Sequence, residues 1–232
     1  MTDYVIAPPT VPSVAVAGST ARFPVRRIFC VGRNYAAHTR EMGFEPEREP
    51  PFFFSKPADA VIDSGRVMAY SRDTTELHHE IELVAAIGRE AIDVSAADAL
   101  SYVWGYAAGI DFTRRDHQFK ARDSGRPWDL GKGFDESAPC GPLRPAKPGE
   151  DPATGRIWLS VNGVVKQDGD LSEMIWKLPE IIAILSHSFE LKPGDLIYSG
   201  TPAGIGPVKP GDVIAGGVEG YGDLSLTIGP AK

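Results

Sequence analysis

The pattern of hydrophobic and polar positions predicts short strands and short helices in the first half of the chain. Continuous apolar runs without helical spacing are typical of buried strands, and they cover residues 27–32, 52–54 and 106–111. The second of these strands should end at Lys56-Pro57. Helical spacing between end signals predicts helices at 35–42, 95–104 and 114–124. The expected N-caps are Asn34 and Ser95, and the expected stops are Gly43 and Gly125. Residues 45–51, with three glutamates and three prolines, predict a loop.

Strand signals dominate the second half. Asn162-Gly163 separates two short strand-like runs, 157–161 and 164–167, and predicts a β-hairpin. Residues 178–189 predict a largely buried helix with a proline in its first turn. The dipeptide Pro-Gly predicts a turn that opens a strand in two similar segments, 192–197 and 209–214. This order of elements predicts a mixed α/β fold with a mixed or antiparallel sheet rather than a doubly wound one.

Composition favours a single domain. The 25 glycines and 20 prolines are spread through all 232 residues rather than gathered in one linker. Residues 1–24 contain four prolines and predict an N-terminal arm, which leaves residues 25–232 as one domain. A chain of this length can bury a substantial core.

Charge and hydropathy argue against several classes of partner. The net charge of −7 is unsuited to nucleic-acid binding, which needs a basic face. No apolar run approaches the roughly 18 residues of a membrane span, and the N-terminus lacks a signal-peptide pattern. Cys30 and Cys140 lack the spacing of a disulfide framework or a zinc site. We therefore expect a cytoplasmic protein that binds neither nucleic acid nor a membrane.

Three acids suggest a metal site. Glu80 and Glu82 are two residues apart in a run that predicts a strand, so both carboxylates point to the same face. Two carboxylates on one partly buried face repel each other unless a proton or a cation lies between them. Asp111 ends another apolar strand and would complete an all-oxygen set suited to Mg²⁺, Mn²⁺ or Ca²⁺. The alternative is that these acids lie on a solvated strand face.

Other polar residues suggest chemistry beside the acids. His38 and Glu41 are three residues apart on a predicted helix, where the carboxylate can orient the imidazole as a general base. An ordinary surface pair is the alternative reading. Lys132 lies between two glycines that permit close backbone approach, although a flexible loop has the same composition. The Thr201 hydroxyl, in a glycine-rich loop, could hold a carboxylate.

Six stretches, in order along the chain, together resemble the fumarylacetoacetate hydrolase family. They are Val31-Gly32-Arg33-Asn34-Tyr35-Ala36-Ala37-His38, Phe54-Ser55-Lys56-Pro57, His79-Glu80-Ile81-Glu82-Leu83, Gly109-Ile110-Asp111-Phe112-Thr113-Arg114-Arg115-Asp116, Gly131-Lys132-Gly133-Phe134-Asp135 and Ser199-Gly200-Thr201-Pro202. The resemblance covers the chain from about residue 27 to the C-terminus, and the arm lies outside it. It is strongest to the compact acylpyruvases, and among these to the fumarylpyruvate hydrolases.

The resemblance implies a fold, a partner and site residues. The fold would be a β-roll of mixed sheets with flanking helices, like a fumarylacetoacetase C-terminal domain, commonly as a homodimer. The implied metal ligands are Glu80, Glu82 and Asp111, holding Mg²⁺ or Mn²⁺ rather than Ca²⁺. The implied catalytic residues are His38, Glu41 and Lys132. The residues expected to contact a 2-oxo acid substrate are Arg33, Tyr35, Arg115, Gln118, Lys132 and Thr201.

The implied reaction is metal-dependent C–C bond hydrolysis of a 2,4-diketo acid, foremost fumarylpyruvate to fumarate and pyruvate in aromatic-compound degradation of the gentisate type. His38, oriented by Glu41, would activate the attacking water. The same fold leaves three alternative activities, namely acylpyruvase, oxaloacetate decarboxylase and 2-hydroxymuconate-type isomerase or decarboxylase. A further alternative is a non-catalytic protein that binds 2-oxo acids. The sequence does not decide which arginine binds the distal carboxylate of the substrate, and the candidates are Arg33, Arg40 and Arg126.

Overall fold

The computed structural model describes residues 3–43 and 48–231, so the predicted loop at 45–51 lies partly outside the described residues. The strands in these ranges are β1 Ser13–Ala15, β2 Arg22–Pro24, β3 Arg27–Gly32, β4 Phe52–Lys56, β5 Val61–Asp63, β6 Val67–Tyr70, β7 Leu77–His79, β8 Ile81–Ile87, β9 Val103–Ile110, β10 Thr113–Arg114, β11 Ala138–Cys140, β12 Arg144–Pro145, β13 Arg156–Val161, β14 Val164–Asp170, β15 Asp195–Tyr198, β16 Gly206–Pro207, β17 Val213–Val218 and β18 Gly222–Ala231. The α-helices are α1 Ala36–Glu41, α2 Ala96–Ala99, α3 Arg115–Asp123, α4 Asp129–Lys132 and α5 Leu178–Ser188. Short 3₁₀ turns occur at Ala58–Ala60, Leu100–Tyr102 and Leu171–Glu173.

Two large mixed sheets form the architecture. The first has the order β4-β3-β15-β8-β9-β11-β5, with β12 also paired to β9, and the second has the order β14-β13-β17-β18-β6. Most neighbours are antiparallel, but β15 with β3, β11 with β5 and β18 with β6 are parallel. The curled mixed sheets with few helices confirm the predicted mixed α/β fold.

The core lies between the two sheets and on the outer face of the first. Leu83 and Ala85 of β8 belong to one buried cluster with Ile157 and Leu159 of β13. The opposite face of the first sheet is covered by the hairpin of β1 and β2, whose buried Val14 joins a second cluster. Because both faces of the sheet are covered, every residue of β8 is buried.

Several sequence predictions hold in detail. Asn162 and Gly163 have φ values of 52° and 78°, as the two-residue turn between β13 and β14 requires. Gly194 and Gly211 have φ values of 98° and 93°, which confirms that both Pro-Gly turns need a glycine. Ser95 accepts a hydrogen bond from the backbone N–H of Asp98 and so caps α2 as expected.

Other predictions are wrong in their bounds or roles. Asn34 does not cap α1, because its side chain instead bonds the backbone of Trp176 and Ser199. The helix predicted at 95–104 stops earlier, since residues 103 and 104 belong to β9, where Val103 pairs with Ile87. The strand that begins at Phe52 ends at Lys56 as predicted, but it is not buried throughout, because Phe52 is exposed. Helix α5 buries one face only, through Leu178, Ile181, Ile182, Leu185 and Ser186. No helix among the described residues is long and apolar enough to cross a membrane.

Candidate metal and catalytic site

Strand pairing brings the three predicted acids together. Glu80 lies between β7 and β8, and Glu82 is the second residue of β8. In the antiparallel pairing of β8 with β9, Ile81 lies opposite Ile110, and the backbone N–H of Asp111 donates to the carbonyl of Glu80 at 2.9 Å. All three side chains are buried, and each offers a carboxylate oxygen within 4.8 Å of the others.

Two buried cations balance part of this charge. The ammonium of Lys132, at the end of α4, lies 2.8 Å from Glu80 Oε2 and 2.6 Å from Asp111 Oδ2. Arg115, the first residue of α3, forms an ion pair with Glu80 Oε1 and bonds Gln118. Burial alone would raise the pKa of Glu80, but the charges of Lys132 and Arg115 hold it well below its usual value. Glu80 is therefore ionised.

Glu82 is the acid left without a cationic partner. Within residues 3–43 and 48–231 its carboxylate forms no ion pair, and it accepts one hydrogen bond, from the backbone N–H of Gly200 at 2.7 Å. Burial and the charges of Asp111 and Glu80 raise the pKa of Glu82 well above its usual value. A cation beside these oxygens would remove that penalty.

The donor set fits a hard divalent cation. Asp111 Oδ1 is buried and accepts no hydrogen bond from the described residues, although a lysine ammonium lies 2.8 Å away. Buried carboxylate oxygens with spare acceptor capacity are the ligands that Mg²⁺ and Mn²⁺ prefer. Glu80, Glu82 and Asp111 would therefore hold such an ion.

The lysine beside Asp111 is Lys56, which sequence reasoning did not assign. Its ammonium donates to the carbonyl of Phe112 at 3.0 Å and to the carbonyl of Lys132. Lys56 thus contacts the candidate metal ligand Asp111 and the backbone of Lys132, the other buried lysine. The available signal was a lysine at the end of an apolar strand, where burial requires an acidic or carbonyl partner.

Helix α1 presents the predicted histidine to the site. His38 Nδ1 lies 3.1 Å from Glu41 Oε2, and Glu41 Oε1 accepts a hydrogen bond from the backbone N–H of Gly204 at 3.1 Å. Burial opposes ionisation of Glu41, but the hydrogen bonds from His38 and Gly204 outweigh it and lower the pKa. An ionised Glu41 favours the His38 tautomer that carries its proton on Nδ1 and leaves Nε2 able to accept one.

One cavity lies beside Glu80, Glu82, Lys132 and His38. Its wall includes most of the predicted site residues, namely Arg33, His38, Glu80, Glu82, Arg115, Gln118, Lys132 and Thr201. Its apolar wall residues and one further arginine were missed from the sequence, namely Val31, Met42, Phe54, Phe119, Arg122 and Trp128. These residues come from five separate elements and loops, so no local pattern marks them.

Five predicted residues do not line the cavity. Glu41 and Asp111 contact the wall residues His38 and Lys132 rather than the cavity itself. Tyr35 packs in the main core, and its buried hydroxyl has no hydrogen-bond partner among the described residues. Arg40 and Arg126 are exposed and lie outside the cavity wall. Of the three arginines considered for a distal carboxylate, only Arg33 therefore faces this space.

The loop after β15 supplies Thr201 and is held by a buried glutamine. Gln167 Nε2 donates to Thr201 Oγ1 and to the carbonyl of Pro202, both at 2.8 Å. Gln167 Oε1 accepts from the backbone N–H of Ile81 at 3.0 Å. This single side chain ties the loop to the strand that carries Glu82.

The chain matches known proteins along most of its length. The fumarylacetoacetate (FAA) hydrolase C-terminal family matches residues 27–229. A fumarylpyruvate hydrolase from Ralstonia sp. is 47% identical over 184 residues, which are 79% of this chain and 95% of the relative. A mitochondrial oxaloacetate tautomerase from Arabidopsis thaliana is 39% identical over 202 residues, which are 87% of this chain and 90% of the relative.

A solved structure gives the same result for the fold. The fumarylpyruvate hydrolase from Pseudomonas aeruginosa, crystallised with Mn²⁺ and pyruvate, matches with a TM-score of 0.95 and 50% identity. The match covers 98% of this chain and 100% of that one. Sequence, fold and buried acids agree, and this chain belongs to the fumarylacetoacetate hydrolase family.

Proposed function

We propose that this protein is a divalent-metal-dependent acylpyruvase whose substrate is fumarylpyruvate, hydrolysed to fumarate and pyruvate. The observation that carries the proposal is one cavity lined by Glu80, Glu82, Lys132 and His38, with Asp111 bonded to Lys132 and Glu41 bonded to His38. The similarity to two fumarylpyruvate hydrolases supports the choice of substrate.

The metal would be held by Glu80, Glu82 and Asp111. When bound, it supplies Lewis-acid polarisation of the 2-oxo acid group and neutralises negative charge that develops there. We propose Mg²⁺ as the physiological ion and Mn²⁺ as an active substitute, because both accept the same oxygen ligands.

His38 would act as the general base. With Nδ1 bonded to Glu41, its Nε2 accepts a proton from a water molecule that attacks C4 of the substrate. The C3–C4 bond then breaks, the C4 side leaves as fumarate, and the electron pair stays on the three-carbon side. A proton delivered to C3 completes pyruvate.

Lys132 and Arg115 would stabilise the negative charge on the three-carbon fragment. Both cations are almost fully buried, where they act through a lower dielectric than water provides. Phe54 and Met42 also line the cavity and would make the remainder of its wall apolar.

The test follows the ultraviolet absorbance of fumarylpyruvate with chelator-stripped protein, before and after Mg²⁺ or Mn²⁺ is added. Absorbance should fall only with metal. His38→Asn should lower kcat about 100- to 10,000-fold, the range for loss of a general base, with unchanged Mn²⁺ affinity by electron paramagnetic resonance. His187→Asn is the matched control, because His187 forms an exposed pair with Asp93 at 2.9 Å. Absence of any metal-dependent absorbance change would refute the assignment.

Oxaloacetate is the second candidate substrate, supported by the similarity to an oxaloacetate tautomerase. Tautomerisation and decarboxylation of oxaloacetate need the same 2-oxo acid anchor, so the same acids and Lys132 would serve them. Comparing kcat/KM for fumarylpyruvate, acetylpyruvate and oxaloacetate decides between the candidates. A larger value for oxaloacetate would replace our first proposal.

Three further expectations stay predictions. We propose a homodimer, a cytoplasmic location, and a single catalytic domain at residues 25–232 preceded by an arm at residues 1–24. Light scattering of the purified protein tests the first of these, and a monomer at micromolar concentration would contradict it.

A further inference from the structure

One face of α3 forms a wall of the cavity. Arg115, Gln118, Phe119 and Arg122 follow the spacing i, i+3, i+4, i+7, which places them on one side of a helix, and all four line the cavity. Arg115 contacts the acids through Glu80. Arg122 is the cation at the opposite end of the same face.

The length of this face suits a seven-carbon diacid. Seven residues at 1.5 Å each separate Arg115 and Arg122 by about 10 Å along the helix axis. An extended seven-carbon dicarboxylate spans about 8 Å between its terminal carboxyl carbons, given bonds near 1.5 Å. Between the two arginines the wall carries the ring of Phe119, which suits the carbon chain of such a ligand.

Contacts along α3 orient the Arg122 side chain. Its guanidinium lies over the ring of Phe119, 4.5 Å from the centroid, and its Nε donates to Asp123 Oδ1 at 2.8 Å. Stacking on a ring that itself lines the cavity keeps the guanidinium at the cavity wall.

Arg33 brings a second positive charge to the same cavity. It has a φ of 57°, an unusual backbone conformation for a residue other than glycine, directly before the buried Asn34. Burial lowers the pKa of Arg33, the charge of Glu49 partly opposes this, and the charge of Arg122 lowers it further. Two guanidiniums that repel each other across a cavity gain stability when an anion binds between them.

We propose that Arg122, together with Arg33, binds the distal carboxylate of a dicarboxylic 2-oxo acid and so sets the preference of this site for diacids. The inference deepens the proposed function and rests on it for the identity of the substrate. Arg122 is then a specificity-determining residue, whereas the acids, Lys132 and Arg115 serve the 2-oxo acid end that all acylpyruvates share.

A binding experiment tests the proposal without turnover. Isothermal titration of the Mn²⁺-loaded protein compares 2-oxopimelate with 2-oxoheptanoate, which have the same length and differ in the distal carboxylate. We expect the parent protein to bind the diacid at least about tenfold more tightly, as for one charged hydrogen-bonded pair. Arg122→Gln should reduce this preference to about twofold or less, and Arg122→Lys should keep part of it.

Lys120→Gln is the matched control, because it removes a positive charge from the exposed side of the same helix. It should keep the full preference. The proposal is overturned if the parent shows no preference, if Arg122→Gln retains it, if Lys120→Gln loses it equally, or if Arg122→Gln weakens both ligands alike.

Turnover separates failure of this inference from failure of the proposed function. Relative to the parent, the Arg122→Gln variant should have a kcat/KM for fumarylpyruvate that is about 10- to 100-fold lower. Its kcat/KM for acetylpyruvate should change less than about threefold. Equal losses for both substrates would contradict the role of Arg122. If the parent hydrolyses neither substrate, the proposed function fails, and the titration with 2-oxopimelate still decides the role of Arg122.

Discussion

Replacing Lys56 with methionine removes the ammonium beside Asp111 and tests how the site is held together. The ammonium lies 2.8 Å from Asp111 Oδ1 and donates to the carbonyls of Phe112 and Lys132. Both side chains of the ion pair are almost wholly buried. Methionine has a similar length and no charge, so it removes these interactions without opening a large cavity.

The expected loss in the free energy of unfolding follows from these contacts. Removing one partner of a buried ion pair costs about 3–5 kcal/mol, because the other charge is left buried and unpaired. Lys132 still pairs with Asp111 Oδ2, which favours the lower end of that range, but the Phe112 carbonyl loses its lysine donor. We expect a loss of about 4 kcal/mol in the free energy of unfolding, which corresponds to roughly 8–16 °C in Tm for a chain of this size.

Urea denaturation of the metal-free protein, monitored by tryptophan fluorescence, measures the loss in the free energy of unfolding. The control is Lys192→Met, which breaks an exposed lysine–carboxylate pair of similar length, 3.0 Å between Lys192 Nζ and Glu190 Oε2. Exposed pairs contribute about 0–1 kcal/mol, so this variant should unfold near the parent midpoint. If the two variants differ by less than about 1 kcal/mol, the argument that Lys56 neutralises Asp111 is wrong.

Three further predictions concern other contacts. Glu82→Gln should weaken Mn²⁺ binding at least about tenfold, yet it should not destabilise the metal-free protein by more than about 1 kcal/mol, because among the described residues the Glu82 carboxylate has no ion pair to lose and its buried charge is repelled by Asp111 and Glu80; a larger destabilisation would contradict this. Burial opposes ionisation of Glu150, but the hydrogen bond from Arg144 outweighs it and lowers the pKa below the ordinary 4.5. The stability from this pair is therefore present above that value and lost as pH falls through the lower folded-state pKa, so the difference in the free energy of unfolding between parent and Glu150→Gln should be full at about pH 6 and shrink as the pH is lowered below 4.5 in urea titrations. Gly204→Ala should cost at least about 2 kcal/mol more than Gly220→Ala, since both have positive φ but only the first would place a Cβ against a backbone oxygen, at 2.0 Å; equal losses would refute this.

The acids of the site could be predicted from the sequence because their signal is local. A strand places residues i and i+2 on one face, so Glu80 and Glu82 are related without knowledge of the remaining fold. His38 and Glu41 are likewise linked by helical spacing alone. The resemblance to a family, rather than periodicity, supplied Arg115 and Gln118.

The residues that could not be predicted depend on distant parts of the chain. Lys56 is buried because the ends of β4 and β9 meet near α4, and Gln167 reaches Thr201 from a different sheet. Asn34 has the sequence signature of an N-cap, but its amide bonds the backbone of two segments more distant in sequence. The helix predicted at 95–104 ends early because strand pairing overrides local helix propensity.

The position of β15 has a consequence for how the chain folds. This strand lies between β3 and β8, where Tyr198 pairs with Cys30 on one side and Val84 on the other. Until residues 195–198 leave the ribosome, both neighbouring strands expose an unpaired edge, and such long-range pairings form slowly. The N–H of Gly200, which bonds Glu82, arrives with the same segment. Chains that end before residue 195 should therefore aggregate and bind Mn²⁺ poorly although they contain all three acids, so metal affinity reports on completion of the sheet.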